Sequence, residues 1–205
     1  MKLFKLFKKK DDYNIPKSWD ELTLLQFDTI TEIKNSEPNR IKRDIKIVSY
    51  FSGKTVSEIE DLPLYKLYEI TKPLEFTNTI PSDKWVNEFE IDGHSFFINP
   101  DIRTITGSKF IELSTILSVE EINPKVRAEF VAAFMNSKTG KKFEGDDLVN
   151  LVYNKGTVGV VYPLFIFFSR LIIDSSRVIR DYSGQQLVKQ MKEIAQIMEE
   201  IQSEK

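Results

Sequence analysis

The chain has 205 residues, 41% hydrophobic and 29% charged, with 15 Phe and 7 Tyr. That is too aromatic for a disordered polypeptide and long enough for one domain with its own core. It has no cysteine, which excludes disulfide frameworks, thiol nucleophiles and cysteine-ligated zinc or iron–sulfur centres. The net charge of −2 hides an asymmetry: Lys2, Lys5, Lys8, Lys9 and Lys10 put +5 into the first ten residues and leave −7 for the rest, so no basic face of the kind that grips nucleic acid across a whole domain is supplied.

The opening residues 1–10 are too short and too charged for a secretory signal, which needs an apolar stretch of about 7–15 residues, and are expected to stay on the mature protein. Leu3, Phe4, Leu6 and Phe7 alternate with the lysines. Basic amphipathic stretches of this kind suit an anionic membrane or nucleic acid, but the segment is short, and a solvated arm that orders only against a partner is favoured over a membrane anchor. Lys2, Phe4, Lys5, Phe7, Lys8, Lys9 and Lys10 are its candidate contact residues.

Residues 15–35 read as a capped helix. Pro16 precedes Ser18, which stands three residues before Glu21 as in a capping box, where each side chain satisfies the other's free backbone N–H. Trp19, Leu22, Leu25, Ile30 and Ile33 would form its apolar side. After the break at Pro38, Ile41, Ile45 and Val48 mark a second helix that Gly53 closes. A third helical stretch covers 55–70, with Ser57 as its candidate cap and Pro63 limiting its continuity.

At 85–99 the period changes from 3.6 to 2. Phe89 and Ile91 alternate with glutamates, Asp92-Gly93 intervenes, and His94-Ser-Phe-Phe-Ile98 follows. Asp-Gly favours the type I′ turn because both central residues need positive φ, and that turn sets Phe89 opposite Phe96. Helical spacing returns at 108–118 and 124–135, then a polar break at 136–142. Residues 146–153 and the apolar segment around Phe165, Phe168 and Ile172 are expected to complete the core. The longest apolar run, 158–173, is interrupted by Pro163, Ser169 and Arg170, short of the ~18 uninterrupted residues of a membrane span, and reads as a buried core helix. The chain ends in an amphipathic helix from 185, where Leu187, Met191, Ile194, Met198 and Ile201 follow a 4-3-4-3 seam over two heptads. Such a seam serves a partner or the protein's own body equally well. No repeat of fixed period appears.

Four motifs imitate chemistry. Gly53-Lys54-Thr55 ends like a phosphate-binding loop, but the first glycine of that motif would fall at Val48, in a helical stretch where a strand is required. Gly140-Lys141-Lys142 fails in the same way at Met135. His94 is the single histidine, so no His–His metal pair exists, no nucleophile elbow accompanies it, and it reads as a solvent-facing strand residue. Glu144, Asp146 and Asp147 lack the calcium-loop pattern and read as charges at a helix N-terminus. With 31 acidic residues, a carboxylate pair assembled in space for a small hydrolase stays open as a third reading.

Four segments carry a likeness to a known group: Ile15-Pro-Lys-Ser-Trp19-Asp-Glu-Leu-Thr23-Leu-Leu-Gln26-Phe27, Glu60-Asp-Leu-Pro-Leu64, the hairpin Ile91-Asp-Gly93-x-x-Phe96-Phe-Ile98-Asn-Pro100, and Ile105-Thr-Gly-Ser-Lys-Phe110-Ile-Glu-Leu113. In this order, over roughly residues 14–175, the chain resembles small proteins of tailed-phage structural gene clusters, among them tail-assembly-chaperone-like proteins and virion components of crAss-like phages. The resemblance implies a non-catalytic protein of particle assembly, present in the virion or in the host cytoplasm during assembly. Its partners would be other virion or assembly proteins or further copies of itself in a symmetric assembly, and no functional residue carries over individually. A tail-assembly chaperone, absent from the finished particle, is the alternative within that group.

The expectation is therefore an α+β protein, mainly helical. Residues 1–13 form a basic arm, 14–182 one globular domain with a β-hairpin, and 183–205 an amphipathic helix. No catalytic residue, cofactor, metal or small-molecule substrate is assigned.

Overall fold

The first helix begins later than its sequence suggests. In this computed structural model, which describes residues 13–101, 104–118, 122–143 and 146–177, α1 spans Leu24–Ser36 with Thr23 as N-cap. Its capping box joins Thr23 to Gln26: the Gln26 N–H donates to Thr23 Oγ1 at 3.2 Å and the Thr23 N–H to Gln26 Oε1 at 2.9 Å. The box expected at Ser18 and Glu21 does not form. There the chain makes a turn, and the Glu21 carboxylate accepts from the Lys17 N–H at 2.8 Å. Both sites match the capping pattern, and tertiary pairing selects between them. Leu24 N–H donates to Gly156 O at 3.0 Å, Val158 N–H to Leu22 O at 2.8 Å, and Gly159 N–H to Trp19 O at 2.9 Å. A helix over 19–24 would consume these backbone groups internally. Held in this way, the approach segment buries Ile15 and Leu22. Glycine is needed at the crossing, since a Cβ on the buried Gly156 would collide with the Val152 carbonyl.

α2 (Arg40–Ser52) starts at Asn39, whose side chain accepts from the Lys42 N–H, and stops at Gly53 in the left-handed region, φ 68°, the C-terminal conformation that glycine adopts without penalty. α3 is a short helix, Val56–Glu60, capped by Thr55 with Glu58 and not by Ser57. Pro63 occupies the N-cap position of α4 (Leu64–Thr71), where its missing N–H costs nothing. A 3-10 helix, Lys72–Asn78, follows directly.

The hairpin forms as its period predicts. β1 (Glu88–Ile91) pairs antiparallel with β2 (His94–Ile98), and Phe89 lies opposite Phe96 with the rings stacked at 6.1 Å. The turn residues Asp92 and Gly93 have φ of 51° and 75°. A third strand, β3 (Met135–Ser137), joins the far edge of β2 and makes the order β1-β2-β3. This corrects both the two-stranded expectation and the helix drawn through Met135. Three residues are too few to show a period, and the pairing of Ser137 with Phe96 and Met135 with Ile98 is a long-range fact.

α5 (Gly107–Ile116) and α6 (Pro124–Ala132) occupy the predicted helical stretches. α7 (Asp147–Lys155) has Asp146 at its N-cap and Asp147 in its first turn, the positions at which carboxylates meet the positive end of the helix. α8 (Val158–Arg177) is a single helix of 20 residues, long and apolar enough by length and composition to cross a membrane. Pro163, Ser169 and Arg170 interrupt the apolar run of the sequence but not the helix, and the expectation that they keep it short of a span is corrected, while the helix itself was expected. Pro163, the sixth residue, gives up the one bond its N–H would make to the Gly159 carbonyl, and the helix continues past it. Val158, Val161, Leu164, Phe165, Phe168 and Ile172 lie along one stripe and are buried, so α8 is a core helix on that side. Together with α1, α6 and α7 it encloses the main core, in which Phe134 stacks on Phe168 at 3.8 Å and Phe130 meets Phe165 edge-on at 5.4 Å. The architecture is an α+β, mainly helical single domain.

Candidate functional site

The residues predicted to meet partners, Lys2, Phe4, Lys5, Phe7, Lys8, Lys9 and Lys10 in the arm and Leu187, Met191, Ile194, Met198 and Ile201 in the terminal helix, lie outside the described residues, as does Glu144. Two other places stand out within the domain.

The first is α4. Leu67 is buried at 5% exposure and anchors the helix, whereas Leu64, Tyr65 and Tyr68 are 51%, 67% and 47% exposed. At 100° per residue these three span roughly a quarter of the helix circumference, so they form one outward apolar face and not scattered exceptions. Lys66 and Glu69 flank it on one side. Tyrosine supplies large contact area at low entropic cost and is enriched where proteins bind proteins. The sequence carries a signal for this face: Leu67, Ile70 and Leu74 furnish a core stripe, which leaves Leu64, Tyr65 and Tyr68 surplus to it.

The second is a cleft of about 710 Å³ where α1, α6, α7 and α8 meet the segment 77–81. Asp28 on α1 accepts a hydrogen bond from the Tyr153 hydroxyl on α7 at 2.7 Å. Burial, then that bond to a carboxylate, pushes the Tyr153 phenol up to about 12. A phenol so held keeps its proton at neutral pH and serves as a clamp between helices, not as a base. Arg127 on α6 faces the rings of Tyr162 and Phe165 at 5.7 and 5.8 Å. Burial lowers its pKa while Tyr162 and Asp28 act in the other direction, and its Nε is buried without a hydrogen-bond partner. These residues form an aromatic-walled cation beside a neutral phenol and a carboxylate. The arrangement can hold a polar group between the helices.

His94 is partly exposed, though more covered than its place beside the turn suggested. It is half-buried, with its ring edge-on to Phe143 at 5.6 Å and Lys141 Nζ 3.4 Å from Nε2, because the chain after β3 folds back over the hairpin. Gly53 is a helix terminator and Gly140 a turn residue at φ 70°; neither begins a phosphate loop. No group of three or more His, Asp or Glu among the described residues is placed to hold a metal ion. Comparison of the chain with models of known protein families, with curated proteins and with solved structures finds no match.

Proposed function

We propose that the chain is a non-enzymatic assembly subunit that binds further copies of itself through α4, and, following the likeness of its sequence to phage structural proteins, that it serves in a tailed-phage particle. The observation that carries the reading is the exposure of Leu64, Tyr65 and Tyr68 along one face of a helix whose opposite side is anchored in the core. Two such faces packed antiparallel about a two-fold axis bring Lys66 of one copy to the same flank as Glu69 of the other. The patch is thus complementary to itself in charge as well as in polarity, as an isologous contact requires.

Molar mass by light scattering across concentration tests this. An oligomer that the double variant Leu64→Ser/Tyr65→Ser reduces to monomer supports the reading. A monomer at every concentration, or an oligomer the variant leaves intact, overturns it. Antibody detection in purified particles then separates a permanent subunit from the alternative of an assembly chaperone, which is found only outside them.

A further inference from the structure

Another face of α1 borders a cavity of about 480 Å³ shared with α2, α4 and the 3-10 helix, within the range of small-ligand sites of about 300–1,000 Å³. Its floor is apolar, from the buried Ile30, Ile47 and Leu74. Its walls gather four cations from three elements: Lys34 from the last turn of α1, Arg40 and Arg43 from the first turn of α2, and Lys72 from the start of the 3-10 helix. Two carboxylates, Asp44 and Glu75, oppose them, which leaves the lining at +2. Lys34 Nζ donates to Thr77 Oγ1 at 3.0 Å. Burial and then the neighbouring Arg43 lower the pKa of Lys34, with Asp44 acting in the other direction. Burial raises the pKa of Asp44 against the pull of Arg40, Arg43 and Lys34. Gathering like charges in a concavity is unfavourable for the empty protein, and a bound anion relieves it.

We propose that this cavity binds a small phosphate-bearing ligand carrying several negative charges, with Arg40 and Arg43 as forks on phosphate oxygens and Lys34 and Lys72 as point charges. Two arginines three residues apart on one helix present planar donors to neighbouring oxygens, and a single carboxylate would leave most of these donors unused. A long polyanion fits poorly, because the chain outside its first ten residues carries −7 and repels a backbone that extends beyond the cavity.

Isothermal titration calorimetry of the full chain at physiological salt tests the proposal, with tripolyphosphate and ATP as probes. Wild type should bind at least one of them, and the difference between the two separates an inorganic ligand from a nucleoside phosphate. Arg43→Ala and Lys72→Ala should each weaken binding about tenfold or more, the loss expected for one charge-assisted hydrogen bond, with an unchanged circular dichroism spectrum. Having two variants keeps the test valid if one of them misfolds. No binding by wild type at millimolar ligand, equal binding by both folded variants, or tighter binding of a short single-stranded oligonucleotide than of either probe overturns it. None of these measurements involves Leu64 or Tyr65, so failure here and failure of self-assembly through α4 are separate results.

Discussion

Two regions of this protein treat their aromatic residues in opposite ways. Around α8, aromatics meet one another: Phe134 stacks on Phe168, Phe130 packs on Phe165, and all four are buried. Along α4, Tyr65 and Tyr68 turn outward although Leu67 on the same helix is buried. The ring cluster of the main bundle is thus covered within one chain, and the α4 limb leaves part of its own apolar surface uncovered. An apolar side chain that the fold does not use is free to serve contact with another molecule.

Substitutions sharpen this contrast. The largest effect is expected from Phe168→Ala, which empties a fully enclosed site and should cost about 3–5 kcal/mol by chemical unfolding; a loss below about 1 kcal/mol would show that the bundle is not the stabilising half. Tyr153→Phe removes the bond to Asp28 and should cost about 1–3 kcal/mol near neutral pH, since the carboxylate loses its partner. The same residue gives a pH signature. Its folded pKa, about 12, lies above the ordinary value of 10.0, so the stability it contributes is full below pH 10.0 and is lost as pH rises toward 12. Unfolding followed across that range should show the decline in wild type and its reduction in the phenylalanine variant.

Thr23→Ala should cost about 1 kcal/mol by removing half of the capping box of α1. Ser18→Ala, at the box that the sequence suggested and the fold does not use, should be close to neutral; equal losses at the two positions would contradict the observed start of the helix. The smallest effect on stability belongs to Leu64→Ser/Tyr65→Ser, within about 0.5 kcal/mol in the monomer. A loss of several kcal/mol there would make α4 part of the core and end the proposal that it is a contact surface.

Much of the fold was legible because it rests on local rules. Gly53 ends α2 and Asp92-Gly93 turns the hairpin because positive φ is a property of the residue itself. The facing of Phe89 and Phe96 follows from the turn by counting. Where local rules offered two answers, distant residues chose. Ser18 and Thr23 both fit a cap, and the backbone of 156–159 decided for Thr23; Met135 continued a helical pattern, and the open edge of β2 drew it into a strand. The juxtapositions that build the candidate sites were less legible. Lys34 and Lys72 stand thirty-eight positions apart and meet at one cavity, and Asp28 finds Tyr153 across 125 positions, neither of which a periodicity can announce.

By itself the sequence determined the class of fold, the approximate helices, the hairpin with its register, and the absence of thiol chemistry, because hydrophobic period, turn geometry and residue type act over a few neighbours. The tertiary structure alone decided which cap is used, that a third strand completes the sheet, and that four cations share a cavity. These depend on which backbone groups and charges long-range packing brings within a few ångströms, where hydrogen bonds and Coulomb forces become strong enough to choose between locally equivalent alternatives.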